Sequence, residues 1–484
     1  MPANQPFNIR ICSIVKTLLL IAPAVSFTSL SAQQMKGFSP EFSVNQSTLI
    51  STGEDLPFWM TTDSNGAYSL HNQTYLLFQA GLKRKMERDS LKKWGYSYGG
   101  NMVCGLAGAA EFHPNEYWLG IRFQSIILKA GAESDPVIYS GLSSTNGNMY
   151  RSRNARPVPG LSLSTNGFLP LFLGKKWFSY RFLYEEGVLN DQGVVSKVHL
   201  HRKNFYLKGV VSSSLSLSLG IEHYVFWGGN SPVFGQQPTW NQYFRYVFGR
   251  NGGAGATGSD QINRAGNQLG SYNLELKKEF RSINAVFYWN HPFEDHSGME
   301  LVNISDGLWG IHLAKKDRGA LITNFVYEYL STLNQSGPVH LEPAPTPENP
   351  SRRSGRGQDD YFNHMVYTSG YTYYHRMMGT PLFVPEIGNG TAKAFESTRM
   401  WMHHFGFGGF LNSRLSWKSL MTWSRNFGTY LNAYPNPLDE FSFLGECRYV
   451  TVKLPFEVKA GMACDIGDRF ERRFGAYLGI GFHF

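Results

Sequence analysis

The last twelve residues of the chain alternate strictly with period two. Phe474, Ala476, Leu478, Ile480, Phe482 and Phe484 fall on one face of an extended chain, and Arg473, Gly475, Tyr477, Gly479, Gly481 and His483 on the other. Successive side chains of a strand point to opposite faces, whereas a helix repeats about every 3.6 residues, so this run reads as strand. The pattern recurs upstream. Leu215, Leu217, Leu219 and Ile221 alternate with Ser216, Ser218, Gly220 and Glu222. Val450, Val452, Leu454, Phe456, Val458, Ala460 and Met462 share a face between Thr451, Lys453, Glu457 and Lys459, which predicts one strand through 450–462. Such runs approach the ~9–11 residues of a tilted membrane-spanning strand.

Composition decides between a membrane barrel and a soluble sheet. A sandwich also alternates, but its strands are commonly about 5–6 residues long. Only 17% of residues are charged, against the ~25% usual in soluble domains. Gly numbers 51, and aromatics reach 15%, a share that disordered chains lack. Mean hydropathy is −0.28, and the longest nearly uncharged apolar run is 17–25. That run is far short of the ~20 residues of a membrane-spanning helix. Strands alternating lipid-facing apolar with lumen-facing polar residues average to neutral hydropathy, so a transmembrane β-barrel fits. Trp227 and Trp289 near strand ends suit interfacial aromatic girdles.

Arg10 and Lys16 precede the apolar core Leu18-Leu19-Leu20-Ile21-Ala22, and Ser29, Ser31 and Ala32 follow it. This is the pattern of a secretory signal peptide over 1–32, leaving 33–484 as a single outer-membrane barrel domain. Export makes outer-membrane lipid, lipopolysaccharide and the barrel assembly machinery expected partners and disfavours nucleic acid. Cys104, Cys447 and Cys464 remain after cleavage, too few and too odd for a disulfide framework or a zinc site. At about 22 residues per strand and turn, the mature chain holds ~16–18 strands. Five prolines and three arginines between Gly337 and Tyr361 mark a long loop. From Pro238 to Gly249, Trp240, Tyr243, Phe244, Val247 and Phe248 recur at helical spacing, with Thr239 as N-cap and Gly249 as C′ residue. An amphipathic helix packed on or in the barrel end is expected there.

Five local motifs together resemble the Wzi-like capsule-assembly family of outer-membrane proteins, in its longer, Bacteroidetes-type form. They are Thr52-Gly-Glu-Asp-Leu-Pro-Phe-Trp59, Arg153-Asn-Ala-Arg-Pro-Val-Pro-Gly160 and Gly220-Ile-Glu-His-Tyr-Val-Phe-Trp-Gly-Gly229. The others are Tyr243-Phe-Arg-Tyr-Val-Phe-Gly249 and Thr422-Trp-Ser-Arg-Asn-Phe-Gly-Thr-Tyr430. The resemblance implies an all-β, antiparallel barrel of about 18 strands with helical elements and long loops closing the lumen. It also implies a lectin that binds capsular polysaccharide or exopolysaccharide at the cell surface and assists its assembly or attachment.

A polysaccharide site needs aromatic faces for stacking and planar donors for carboxylates and hydroxyls, which arginine supplies. Arg151, Arg153 and Arg156 lie within six residues, and Arg245, Arg250 and Arg264 flank the expected helix. Of these, Arg153, Arg156, Arg245 and Arg250 are expected to line an electropositive lumen or mouth; the competing reading has lumen arginines laddering with acids to fill the barrel. The net charge of +9 favours the first only slightly. His223, Trp227 and Trp240 are candidate sugar contacts, Trp227 being alternatively a girdle residue. Glu54 with Trp59 is a second pair, or else a periplasmic plug pinned by Trp59. His403 and His404 are adjacent and so face opposite ways on a strand. Asp359-Asp360 and Glu294-Asp295-His296 read as solvated loop charges. No GxSxG, HExxH, Walker or GxGxxG motif occurs in a strand-helix context, so no catalytic residue, metal ligand or cofactor is expected. A passive porin or transporter is the alternative function. A barrel-embedded hydrolase is a third, for which a carboxylate or serine cluster at the barrel rim would be the sign.

Overall fold

The computed structural model describes residues 40–86, 93–172, 175–262, 264–294, 296–317, 319–338, 357–388, 391–451 and 454–484. The signal segment 1–32, and 339–356 of the proline-rich loop, lie outside the described residues. β1 (Glu41–Ser51), β2 (Thr74–Arg84), β3 (Trp94–Ala107), β4 (Ala109–Phe123) and β5 (Ile126–Ala132) come first. β6 is interrupted: its segments Gly160–Thr165 and Leu169–Phe172 both pair with β7 (Lys175–Val188). Then follow β8 (His199–Ser212), β9 (Leu215–Trp227), β10 (Asn267–Glu279), β11 (Ile283–Phe293), β12 (Gly307–Lys315) and β13 (Asn324–Ser331). The last are β14 (Met400–Phe410), β15 (Leu415–Gly428), β16 (Ala433–Val450), β17 (Phe456–Gly467) and β18 (Arg473–His483).

Each strand pairs antiparallel with the next and β1 pairs with β18, so these eighteen strands close into a barrel. Closure leaves no unpaired edge. At the seam, Phe42 and Phe484 exchange backbone hydrogen bonds of 3.0 and 2.8 Å, so the final residue is part of the wall. The apolar face of β18 points outward, with Leu478 53% and Phe482 41% exposed. Leu82, Leu119, Leu161, Leu219 and Ile221 are likewise exposed on the outer wall, a belt that only lipid covers favourably. No described helix is long and apolar enough to cross a membrane. The expected strand through 450–462 is two strands, because β16 ends at Val450 and β17 begins at Phe456. Pro455, which has no N–H for the ladder, sits in the connecting turn. Cys104, Cys447 and Cys464 are free thiols.

On the inner wall the glycines accommodate tyrosines. Tyr206, Tyr288 and Tyr477 sit directly opposite Gly220, Gly310 and Gly461 on the adjacent strand. A Cβ at those glycines would meet the rings at 2.2, 2.0 and 2.4 Å, so only glycine admits them. Each ring lies over its glycine and its hydroxyl donates to a lumen glutamate: Glu222, Glu328 and Glu446 respectively.

The two ends differ. Connections 124–125, 213–214, 280–282 and 411–414 are short and lie at the end where β1 begins and β18 ends. Connections 52–73 and 133–159, and the described parts of the connections 228–266 and 332–399, are long and lie at the other end. In outer-membrane barrels the short turns are periplasmic and the long loops extracellular. The long loops fill the lumen. Met149 and Tyr150 of one, and Tyr361, Phe362, Val366 and Phe383 of another, share one core with wall residues Leu49, Val103, Leu308, Val326 and Met402. The 133–159 segment is held from the wall. Glu328, fully buried, accepts from Ser143 Oγ (2.5 Å), from Ser144 N (2.7 Å) and Oγ (2.5 Å), and from Tyr288 (2.5 Å). His404 Nε2 bonds Leu142 O at 2.8 Å, and Glu222 accepts from Asn148 at 2.6 Å. The 52–73 segment is anchored by Phe58 N donating to Asp465 (2.8 Å) and Trp59 Nε1 donating to Thr422 (3.1 Å). Trp59 therefore pins a plug, but from the long-loop end and not the periplasmic one. His403 and His404 do face opposite ways, His404 inward.

Removing Glu328 leaves four donors unpaired, at about 1.5–3 kcal/mol for each hydrogen bond to a charged group. Planar-bilayer recordings should show no large steady conductance for the intact chain and intermittent openings for Glu328→Ala. Urea unfolding of the same variant should show a loss of at least about 3 kcal/mol. At the long-loop end, Asp306 accepts from Asn334 N (2.9 Å), Gln335 N (2.7 Å) and the Tyr361 hydroxyl (3.0 Å). Burial pushes its carboxyl up to about 6. The folded value lies above the ordinary ~4 of an unfolded Asp, so its contribution is complete below about pH 4 and is lost as pH rises through the folded value. A carboxyl-carbon NMR titration of Asp306 should therefore give a midpoint near 6, not 4.

Candidate functional site

The structure divides the nine residues singled out from sequence into two groups on opposite sides of the barrel wall. Arg151, Arg153 and Arg156 lie on the plug. Arg151 binds Asp135 through two nitrogens at 2.5 Å each, and Arg153 faces Asp63 at 3.8 Å. Arg156 stacks over Tyr374 at 4.1 Å and donates to Gly66 O at 3.5 Å. Two of the three are thus paired with acids, the bracing arrangement weighed against a free cationic lumen. Arg151 also borders a polar lumen cavity of about 510 Å³ below the plug, with Arg181, Asn204, Asn273, Glu275 and Tyr288.

The other six lie outside the wall. Residues 215, 217, 219, 221, 223, 225 and 227 of β9 face outward, and at its upper end segment 228–266 folds back over them. Trp227 is fully buried, stacked on His199 at 4.3 Å and packed by Trp240, Tyr243 and Tyr246 at 4.9, 5.4 and 5.5 Å. No face of its ring is open to sugar or to lipid. His223 Nε2 bonds Gln268 at 2.6 Å, and His201 bonds Glu186, which also accepts from the Tyr243 hydroxyl. An outward-facing polar network is thereby removed from lipid.

The expected helix is present in shortened form. A 3-10 turn, Trp240–Gln242, runs into a helix, Tyr243–Val247, which ends on Gly249 at φ +56°. Thr239 makes no side-chain cap. Trp240, Phe244 and Phe248 are 61, 69 and 64% exposed while Tyr246 and Val247 are buried. The apolar stripe thus splits. Outside a membrane barrel the polar wall takes one side of such a segment and the bilayer interface takes the other. Closure of the lumen consequently falls to the long loops. Arg245, which donates to Asn251 O at 2.9 Å, and Arg250 belong to this outer lobe and not to the lumen or its mouth, contrary to the sequence expectation.

A cleft of about 490 Å³ opens at the long-loop end between this lobe and segment 357–368. Arg264, Asn267, Gln268, Asn363 and His364 line it, with the carboxyls of Asp260, Glu294, Asp359 and Asp360. Each carboxyl also ties the chain together. Asp260 accepts from Gly266 N (2.9 Å) and Thr257 (3.0 Å), and Glu294 from Phe362 N (2.8 Å). Asp359 accepts from Ser336 (2.5 Å), and Asp360 from Thr398 (2.7 Å) and Asn363 (3.0 Å). Burial raises the Asp360 carboxyl above its ordinary range. His364 Nδ1 accepts from Val366 N at 3.1 Å, and burial pushes its ring down to about 4. The imidazole is then neutral, with its proton on Nε2. Donors, acceptors and a guanidinium converging on one opening suit a ligand dense in hydroxyls. Of the nine expected residues only Arg264 lines this cleft. Asp359-Asp360 and Glu294 were visible in sequence as loop charges, but nothing in the spacing showed that 260, 294 and 360 meet. Among the described residues no group of three or more His, Cys, Asp or Glu is placed to hold a metal ion.

Among solved structures, the fold is similar to that of Wzi, an outer membrane protein involved in group 1 capsule assembly in Escherichia coli and a carbohydrate binding β-barrel. That match has TM-score 0.56 and 14% identity and covers 91% of this chain and 84% of that one. OccK5 of Pseudomonas aeruginosa matches at TM-score 0.45 and 9% identity, over 92% of this chain and 97% of its own. OccAB4 of Acinetobacter baumannii matches at 0.46 and 8%, over 93% and 99%. No curated protein matches. The family model of capsule assembly protein Wzi matches residues 33–383, well over half of the sequence, and the chain belongs to that family.

Proposed function

We propose that the chain is a plugged outer-membrane lectin that binds capsular or other surface polysaccharide in the cleft at its long-loop end and helps hold it at the cell surface. The observation that carries this reading is the cleft itself: carboxyls, amides, a neutral imidazole and Arg264 gathered by loops at the end that faces outward in barrels of this kind. Family membership and the carbohydrate-binding neighbour support it. Outer-membrane lipid with lipopolysaccharide, and the barrel assembly machinery that would insert the chain, complete the proposed partners. The plug weighs against a passive porin.

The balance of charge narrows the glycan. Four carboxyls against one guanidinium disfavour a polyanion and favour neutral or amino sugars, whose hydroxyl and ammonium groups donate to carboxylates. On a glycan array the purified chain should retain neutral or amino-sugar polysaccharides over uronic-acid-rich ones. Arg264→Ala should weaken retention roughly tenfold, as for a hydrogen bond from a charged group. Thr368→Trp, at an exposed cleft position, should abolish it. Unchanged retention in both variants would sink the reading.

The rim carboxylates also favour a second reading, a glycoside hydrolase, since paired carboxyls are what that chemistry uses. Their existing hydrogen bonds to loop backbone and hydroxyls argue for a bracing role instead. Incubation with a retained polysaccharide separates the two: a binding protein releases no new reducing ends, whereas a hydrolase does and loses that activity in Glu294→Gln.

A further inference from the structure

A groove of about 740 Å³ runs along the outside of the barrel, beneath the lobe formed by 228–266. Its floor is Leu163, Phe182, Phe205 and Ile221, side chains on the lipid-facing side of β6 to β9. Leu163, Phe205 and Ile221 are 40, 42 and 39% exposed, and the floor continues downward into the apolar belt through Leu207 and Leu219. The upper rim is cationic. Lys203, Arg250 and Arg264 all line the groove. The Lys203 ammonium and the Arg250 guanidinium lie 5.5 and 6.0 Å from the Phe248 ring centroid, and Lys203 also donates to Val247 O. Among the described residues none of the three cations has a carboxylate within ion-pair distance. Glu294, the one acid on the lining, accepts from Phe362 N at 2.8 Å.

This arrangement has a specific chemical complement. An apolar floor in the plane of the bilayer, topped by lysine and arginine, matches an acyl chain below an anionic headgroup. Guanidinium groups bind phosphate oxygens bidentately. The groove opens sideways at the long-loop end, and exposed Trp240, Phe244 and Phe248 on the same lobe are the residue types that settle at a membrane interface. A soluble partner would have to displace lipid to reach the floor, so the occupant is a molecule already in that leaflet.

We propose that this outer groove is a binding site for a phosphorylated, acylated glycolipid of the lipid A type, held by its phosphate at Lys203, Arg250 and Arg264 with one acyl chain along Leu163, Phe182, Phe205 and Ile221. The site is separate from the cleft except at Arg264, Gln268 and Glu294, which border both. It places the lectin and the lipid that anchors surface glycans side by side.

The test is native mass spectrometry of the full chain released from dodecylmaltoside micelles after titration with diphosphorylated lipid A. One lipid A should be retained per chain, with dephosphorylated lipid A and phosphatidylcholine retained at least tenfold less. Arg250→Glu should weaken lipid A retention roughly tenfold, and Ile221→Trp, which fills the floor from a lipid-facing position, should abolish it. Neither variant touches the cleft, so both should keep the glycan-array profile of the parent. The proposal is overturned if phosphatidylcholine is retained as well as lipid A, or if Arg250→Glu and Ile221→Trp retain lipid A like the parent. It is equally overturned if the two variants lose glycan binding while keeping lipid A.

Discussion

Three carboxyls on the inner wall hold the arrangement together. Glu328 and Glu222 grip the 133–159 segment, and Asp465, paired to Arg473 at 2.6 Å, takes the Phe58 N–H of the 52–73 segment. A buried acid without partners is costly, whereas one saturated with donors fixes geometry. Each of these acids therefore needs the plug to be satisfied, and the plug needs them to stay in register with the wall. Tyrosines laid over cross-strand glycines supply part of the same saturation. The lumen is in consequence the protein's core and not a pore, which is why a membrane barrel here carries one continuous apolar cluster inside its wall.

A second constraint acts on the outside. Where His201, His223 and Glu186 point outward at the upper ends of β7 to β9, polar groups would face hydrocarbon, at a cost of several kcal/mol for each unsatisfied group. The 228–266 lobe covers them and supplies partners such as Tyr243. Covering the wall creates an overhang, and the overhang makes the outer groove. The polar patch, the lobe and the groove are successive consequences of one departure from the lipid-facing rule.

Much of the site was beyond reach of the sequence for a definite reason. Alternation states which residues of a strand share a face, but not which face is inside or whether a loop will lie over it. Trp227 and His223 sit on an outward face that loop folding turned into an interior. Arg245 and Arg250 read as lumen cations because the lobe that carries them was expected at the barrel's end. Asp260, Glu294 and Asp360 come from three separate connections, and their meeting depends on how those connections close over the rim. By contrast, His403 and His404 were separable by periodicity alone, and Gly249 marked the end of its helix through its left-handed conformation.

What the sequence determined by itself is the barrel. Period-two alternation, low charge, abundant glycine and aromatics, and an apolar face running to Phe484 are local properties, and a membrane leaves closed sheets as the only way to satisfy strand backbones. The Wzi-like character was likewise legible, because its motifs are contiguous. Only the tertiary structure decided that the lumen is filled, which arginines are paired, and that the 228–266 segment lies against the outer wall. Those outcomes depend on contacts between residues hundreds of positions apart, such as Trp59 with Thr422, which no periodicity within a single strand can encode.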